Sequence, residues 1–276
     1  MTVREALAAA AARLAGFSES ARLDAEVLMA QALGTTREHL LLSRMGDEAP
    51  AAFDALVVRR GAGEPIAYIL GRRAFWTIEL EVGPSVLVPR PDSETLMEAA
   101  LGHFGSSGPE RVLDLGTGPG TLLLAALDQW PDASGLGVDR SQAALQMAER
   151  NAARLGVAGR AEFRLTDWGQ GIRERFDLIL CNPPYVEAGA DLPRDVKDWE
   201  PPEALFAGPD GLGEYRRLVP EIPRLLVSGG IACIEIGAGQ EAAVSELFEA
   251  HGLPATSWRD LAGIARCLVS TPSLGH

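Results

Sequence analysis

Residues 111–121, RVLDLGTGPGT, constrain the fold more than any other stretch of this 276-residue chain. The strand-length piece RVLDLG runs straight into three glycines, Gly116, Gly118 and Gly120, and then into TLLLAALDQW, which has helical length. Glycines at such a turn let the backbone fold tightly and approach a ligand closely. The rhythm continues downstream. GLGVD is a strand, SQAALQMAERNAARLG a helix with Ala144, Ala148 and Leu155 near one face, and AEFRL and FDLILC are further strands. Phe176, Leu178, Ile179 and Leu180 form the apolar run expected of a parallel strand covered on both faces. YRRLVPEIPRLLVSGG reads as a helix interrupted by prolines and closed by glycines, and IACIEIG as a strand; a last helix and two strands end near Cys267. Alternation of this kind predicts a doubly wound α/β sheet with right-handed crossovers.

The first sixty residues carry helical patterns only. Leu7, Ala11 and Leu14 share one face, and Leu23, Val27 and Ala30 another, with Gly34 and Gly46 at helix ends. A third short helix and a fourth near 49–60 complete a small bundle. EPIAYILGRRAFWTIELEV then offers short β-rich pieces around Gly71, which fits a hairpin. In VLVPRPDSETL, Pro89 and Pro91 end the extended segment, and Asp92 or Ser93 is placed to cap a helix. The expected domains are a helical domain over 1–62, a β-hairpin linker over 63–89 and an α/β domain over 90–276.

Composition narrows the function. Thirty-eight acidic residues against 25 basic ones give a net charge of −13, which opposes broad adhesion to nucleic acid or anionic membrane. MTVREALAAAAARLAG is too short and too charged for a signal peptide or a membrane span, so the cytoplasm is the expected location. Cys181, Cys233 and Cys267 lie far apart and read as small core residues in a reducing compartment; neither metal nor disulfide is expected.

The glycine loop points to a nucleotide-type cofactor. Its spacing is G-x-G-x-G, not the G-x-G-x-x-G of the dinucleotide fingerprint. Asp139 ends the next strand about 20 positions on, where a carboxylate accepts ribose hydroxyls. No P-loop lysine follows, which argues against ATP. In TDWGQG, residues 166–171, Asp167 or Trp168 is placed to contact a base, with simple packing the alternative for Trp168.

FDLILCNPPY raises a different question, because Pro183 and Pro184 cannot donate ladder hydrogen bonds and the strand must stop at Cys181 or Asn182. That leaves an amide, rigid carbonyls and the ring of Tyr185 at the edge where open α/β sheets bind ligands. An amide or aromatic NH₂ is a poor nucleophile because its lone pair is delocalised. The Asn182 side-chain oxygen and the following backbone carbonyl can accept its two N–H bonds, hold it about 3–3.5 Å from an electrophile and stabilise the charge that develops. The prolines fix those acceptors, and Tyr185 offers a wall for a planar group. Glutamine, asparagine, adenine and cytosine all qualify as substrates. His39, His103, His251 and His276 have no partner motif, so no strong general base is evident; an NH₂ that has attacked an electrophile can lose its excess proton to water afterwards.

With these residues in place, the glycine loop, Asp139 and Asn182-Pro183-Pro184-Tyr185 resemble the class I S-adenosylmethionine-dependent methyltransferases, whose fold is Rossmann-like with a mostly parallel seven-stranded sheet. Over nearly its whole length the chain resembles the release-factor glutamine methyltransferases (the PrmC/HemK family). SARLDAEVLMAQALG, EPIAYILGRRAFW, VLVPRPDSETL, VDRSQAAL, EPPEALFAGPDGLGEYRRL and DLAGIARCLV carry the match with the two motifs above. The resemblance implies N5-methylation of the glutamine in the Gly-Gly-Gln motif of class I release factors. It implies that Gly116, Thr117, Gly118, Pro119, Gly120, Asp139, Trp168 and Asn182 bind S-adenosylmethionine. Asn182, Pro183, Pro184 and Tyr185 would bind the substrate glutamine, with Asn182, Pro183 and Tyr185 catalytic. Arg90 and Pro91 resemble a segment near the substrate entrance, a rim salt bridge being the plain alternative for Arg90. Two departures stand out: Pro119 occupies a position where Ser is usual and removes an N–H, and GIARC lacks the usual charged residue before Arg266.

Two rivals remain at this level. An adenine N6 methyltransferase would need a basic groove and a target-reading region, which this acidic chain does not advertise. A non-catalytic cofactor-binding scaffold would tolerate a degraded Asn-Pro-Pro-Tyr, and the motif is intact. A single glutamine offers little specificity, so the helical domain is expected to dock the release factor, with plain stabilisation of the fold as the alternative.

Overall fold

Thr2 starts the first helix with a reciprocal cap: Glu5 N–H donates to its hydroxyl at 3.3 Å, and Thr2 N–H donates to the Glu5 carboxylate at 2.8 Å. The computed structural model describes residues 1–16 and 18–272, so His276 lies outside the described residues. They form two units, one of Met1–Arg72 with Leu192–Glu200, the other of Arg73–Asp191 and the chain from Pro201 onward.

In the first unit, α1 (Val3–Leu14), α2 (Ala21–Leu33), the short α3 (Arg37–His39) running into a π-turn at Leu40–Arg44, α4 (Ala52–Gly61) and α5 (Ile66–Leu70) enclose a small apolar core. Leu7, Leu14, Leu28 and Met29 are fully buried in it. Of the face expected of α2, Ala30 is buried and Val27 half-buried, but Leu23 is 45 % exposed, while Ala25, Leu28 and Met29 point inward. The reason is electrostatic. Asp24 is buried beside them, accepting from Arg60 Nε at 2.8 Å, Ser18 Oγ at 2.8 Å and Ser20 Oγ at 3.0 Å. Arg60 is buried too and also reaches Asp195 at 3.2 Å, which ties the single turn Arg194–Lys197 to this unit. Removing one member of a buried pair strands the other charge. Asp24→Ala is therefore expected to cost this unit about 3–5 kcal/mol, measured as a fall in urea stability together with lost amide protection in α2.

A hairpin around Gly71 is not what forms. Ile66–Leu70 is a helical turn that Gly71, at φ 71°, terminates. Pro65 begins that turn with a fixed φ, and Ala67, Tyr68 and Ile69 bury their side chains. The hairpin comes next, β1 (Arg72–Phe75) and β2 (Ile78–Glu81), and turns at Trp76–Thr77, with Trp76 at φ 52°.

The second unit holds a seven-stranded sheet of β3 (Arg111–Leu115), β4 (Ser134–Asp139), β5 (Ala161–Leu165), β6 (Phe176–Cys181), β7 (Leu226–Glu235), β8 (Ala255–Arg259) and β9 (Ala265–Ser270), in the order β5-β4-β3-β6-β7-β9-β8. All neighbours are parallel except the β7–β9 and β8–β9 pairs. Helices α6 (Glu94–Phe104), α7 (Thr121–Gln129) and α8 (Gln142–Arg154) precede or connect the first strands. Two local expectations change. Pro91–Ser93 is a 3₁₀ turn, and neither Asp92 nor Ser93 makes a side-chain cap to α6, because the Ser93 hydroxyl is engaged elsewhere. The glycines of VSGG do not close a helix: the last turn ends at Leu225, and Leu226 turns extended to pair with Phe176. From β3 the chain moves to β4 and β5 on one side, whereas β6 and β7 lie on the other. The strand order therefore reverses beside β3, and a crevice opens at the carboxyl ends of β3, β4 and β6.

Among the described residues no helix is long and apolar enough to cross a membrane, and no group of three or more His, Cys, Asp or Glu side chains is arranged to hold a metal. Cys181, Cys233 and Cys267 are all buried.

Candidate active site

The loop after β3 is held from within. Gly116, Gly118 and Gly120 have φ of 75°, 56° and 88°. At Gly120 a Cβ would lie 2.6 Å from Leu124 Cδ1, so glycine is needed there for space as well as for conformation. Thr117 Oγ1 donates to Asp114 Oδ2 at 2.7 Å, and Leu123 N–H donates to the same oxygen at 3.1 Å. Gly118 N–H donates to Asp139 Oδ2 at 2.9 Å, while Asp139 Oδ1 accepts from Ser141 N–H at 2.8 Å. The Pro119 carbonyl accepts from Asn151 Nδ2 at 2.9 Å, and the same amide also pairs with both backbone groups of Glu81. Proline in the loop thus gives up an N–H but keeps a carbonyl that the buried Asn151 uses.

A cavity of about 470 Å³ opens beside this loop and is walled by Gly116, Gly118, Asp139, Asp167, Trp168 and Asn182, with Pro184 also at its surface. That is the size of a small-ligand site. A second, smaller cavity of about 50 Å³ shares Gly116, Gly118 and Asn182 and adds Asp114, Thr117, Pro119, Arg90 and Ser93. Trp168 adopts φ 49°, a conformation costly for a bulky side chain. It is fixed there by a hydrogen bond from Nε1 to Glu214 Oε2 at 2.8 Å, and its ring edge packs at Gly116. Asp167 pairs with Arg217.

Asn182 follows directly on β6 and lines both cavities. Its Nδ2 donates to Ser93 Oγ at 3.0 Å, which leaves Oδ1 for a ligand. Pro183 is buried, and it lines neither cavity, as is true of Gly120 and Tyr185. The Tyr185 hydroxyl donates to Glu235 Oε1 at 3.1 Å. Burial and the neighbouring Glu235 charge push that phenol well above its ordinary pKa. Gln240 clamps the end of the motif: its Nε2 donates to the Tyr185 carbonyl at 3.0 Å, and its Oε1 accepts from Gly237 N–H at 3.0 Å and from the Tyr215 hydroxyl at 3.3 Å. None of His39, His103 and His251 lines either cavity. Arg266, at the last hairpin, pairs with Asp92 at 3.0 Å and Asp260 at 3.1 Å, tying that hairpin to the Pro-Arg-Pro-Asp segment.

Sequence reasoning passed over two buried carboxylates at this edge. Asp114 Oδ1 and Glu235 Oε2 are buried with no hydrogen-bond partner. Burial raises Asp114 to about 7 against the pull of Thr117 and the Leu123 N–H, with the nearby Asp139 charge adding to the rise. Burial likewise raises Glu235 to about 7. Each stands in an apolar run of its strand, VLDL and IACIE. An acid kept at the carboxyl end of a fully covered strand is the signal that would have found them.

The profile of the PrmC N-terminal domain matches residues 5–71, and that of a methyltransferase domain matches residues 106–257. The release factor glutamine methyltransferase of Rhodospirillum rubrum is 42 % identical over 258 residues, 91 % of this chain and 79 % of that protein. The enzyme of the same name from Cereibacter sphaeroides is 44 % identical over 264 residues, 93 % of each. The ribosomal protein L11 methylase from Lactobacillus delbrueckii subsp. bulgaricus shares the fold, with a TM-score of 0.51 at 19 % identity over 70 % of this chain and 83 % of that one. With relatives this similar along most of both chains, this protein belongs to the release factor glutamine methyltransferase family.

Proposed function

We propose that the protein transfers the methyl group of S-adenosylmethionine to N5 of the glutamine in the Gly-Gly-Gln motif of class I peptide-chain release factors, in the cytoplasm. The observation that carries the reading is the placement of Asn182. It lies on the wall common to both cavities with its amide nitrogen engaged by Ser93 and its oxygen left to accept. Relatives bearing the name of this activity supply the substrate.

The residues present fit the cofactor. Asp139 supplies a carboxylate with lone pairs to spare for ribose hydroxyls, since each oxygen accepts only one backbone N–H. Trp168 and Asp167 would flank the base. The orphaned Asp114 Oδ1, in the smaller cavity, offers a negative partner for the cationic amino group of the methionine moiety. Bound S-adenosylmethionine supplies an electrophilic sulfonium methyl.

The chain's own part is to prepare the nucleophile. Asn182 Oδ1 and the Pro183 carbonyl accept the two N–H bonds of the substrate amide, drawing its nitrogen toward a pyramidal, electron-rich form. Pro183 and Pro184 fix those acceptors so that little reorganisation accompanies the reaction. Tyr185, held by Glu235 and Gln240, is the wall for the planar amide. The excess proton then leaves to water. The helical domain of residues 1–62 is the docking element for the release factor.

The test is a mass shift. The protein and S-adenosylmethionine are incubated with a recombinant release factor, with adenine-containing DNA in a parallel reaction, and the Gly-Gly-Gln peptide is examined. One added methyl on the glutamine, lost in Asn182→Ala, is the expected result. Methyl in the DNA and none in the peptide would transfer the case to adenine N6 methylation.

A further inference from the structure

Glu235 closes β7 beside the end of β6. The parallel register pairs Cys181 with Ile234, so one step further along sets Asn182 beside Glu235. The carboxyl is fully buried. Oε1 takes the Tyr185 hydroxyl, Oε2 has no partner in hydrogen-bonding geometry, and the Ser93 hydroxyl lies within reach of the carboxylate and stabilises its charged form. Ser93 Oγ in turn accepts from Asn182 Nδ2 at 3.0 Å. Three residues distant in sequence, Ser93, Asn182 and Glu235, thus form one file leading from a buried charge to the substrate-facing amide.

The chemistry of the file has a direction. A carboxylate only accepts, and a serine hydroxyl has a single proton. While Glu235 is ionised, the Ser93 proton turns toward it and only lone pairs face Asn182. Asn182 must then present its NH₂ to Ser93 and its oxygen to the cavity. With Glu235 neutral, its own proton can go to Ser93, the serine proton is free for Asn182 Oδ1, and the two amide orientations become comparable. In the reversed one an NH₂ faces the substrate NH₂, donor against donor.

We propose that Glu235 is a positioning residue which, through Ser93, holds the Asn182 amide in the single orientation that accepts from the substrate nitrogen. The inference rests on the assignment of Asn182 as the acceptor for the substrate amide. Charged and titratable neighbours of Glu235 come from every side: Asp92 before α6, Arg266 and Cys267 on β9, Cys181 on β6, and Tyr185 and Tyr215. Arg266 favours the carboxylate, while burial and Asp92 oppose it, which places its ionisation near neutrality.

Glu235→Gln keeps the shape and an oxygen for Tyr185 but gives Ser93 a donor in place of an acceptor. Expected is a fall in kcat of roughly 10- to 100-fold, with the Kd for S-adenosylhomocysteine and the KM for the release factor each within about 3-fold of wild type. Wild-type kcat should fall as pH drops through about 7, and that limb should be missing in Glu235→Gln. Ser93→Ala should reproduce both effects, and the double variant should be no slower than either single one, as for members of one chain. A second readout is independent of the substrate. In the S-adenosylhomocysteine complex, the Asn182 side-chain ¹⁵N–¹H₂ resonances, identified by their loss in Asn182→Ala, should titrate near pH 7 in wild type and not in Glu235→Gln. Wild-type kcat and pH profile in both variants, or Asn182 resonances that titrate unchanged in Glu235→Gln, would overturn the proposal. A wild-type protein that methylates no glutamine but shows the titration would sink the substrate assignment and leave the orientation control standing.

Discussion

Asn182→Ala is expected to lower kcat for glutamine methylation by about 10²–10³-fold, the loss typical of removing one fixed polar group from a charge-stabilising site. The cofactor should stay bound, with Kd changed by no more than about 3-fold, because the loop contacts of Asp114, Asp139 and Gly118 do not involve this side chain. The reason for so large and so selective an effect is that an amide nitrogen in its ground state is barely nucleophilic, and the acceptor matters most once positive charge develops on it. An interaction made chiefly in the transition state appears in kcat and not in KM. Single-turnover methylation of a release factor alongside equilibrium binding of S-adenosylhomocysteine separates the two. A KM effect with kcat preserved would reduce Asn182 to a binding contact and remove the basis for the acceptor mechanism.

The same reasoning explains why the site needs no strong general base. A neutral amide attacking a cationic sulfonium requires orientation and an environment that tolerates charge on nitrogen, and no base strong enough to deprotonate an amide. The three described histidines stay away from both cavities. The buried charges beside the site are carboxylates, Asp114 wired to the loop through Thr117 and Leu123, and Glu235 to Tyr185.

Much of this architecture was legible from the chain because its signals are local. Strand-length apolar runs, a loop whose three glycines adopt positive φ, and prolines that cannot pair define β3, the loop after it and the end of β6 without reference to anything distant. Errors arose where a tertiary partner decided the outcome. Leu23 lost the inner face of α2 to Asp24, because the buried Arg60 across the bundle needs an anion. Ile66–Leu70 has β-branched and aromatic content yet forms a helical turn, since Pro65 sets its start, Gly71 ends it and Ala67, Tyr68 and Ile69 bury their side chains. Leu226 turned extended because Phe176 of β6 offered it a partner, and the ladder resumes at Ile231 after a register shift. Among the residues that line the cavity, Asn182, Asp139 and Trp168 could be named from motif and spacing. Ser93, Glu235, Gln240 and Asn151 could not, because each acts through a hydrogen bond to a residue at least 30 positions away in the chain. An aspartate or serine before a helix commonly caps it, so the local pattern points to Asp92 or Ser93 as a cap, whereas Ser93 pairs with Asn182, 89 positions away.

Asp139 is where cofactor affinity should be lost most heavily. Its two oxygens hold the N–H groups of Gly118 and Ser141, one in the glycine loop and one at the start of α8. It therefore fixes the two walls of the larger cavity at the same time as it offers lone pairs to a ribose. Replacing it with alanine removes both functions, and a hydrogen bond to a charged group contributes about 1.5–3 kcal/mol. Asp139→Ala is accordingly expected to raise the Kd for S-adenosylmethionine by about 100-fold, followed by quenching of Trp168 in the cavity wall. At saturating cofactor kcat should remain within about 3-fold of wild type, since Asn182 is anchored separately through Ser93. Asp139→Asn is the sharper comparison. An amide can accept from only one of the two backbone N–H groups and must turn its NH₂ on the other, so it should bind cofactor no better than alanine does. If Asp139→Asn instead bound as tightly as wild type, the carboxylate would be unnecessary to the ribose site, and the loop contact to Gly118 would have to carry the affinity by itself.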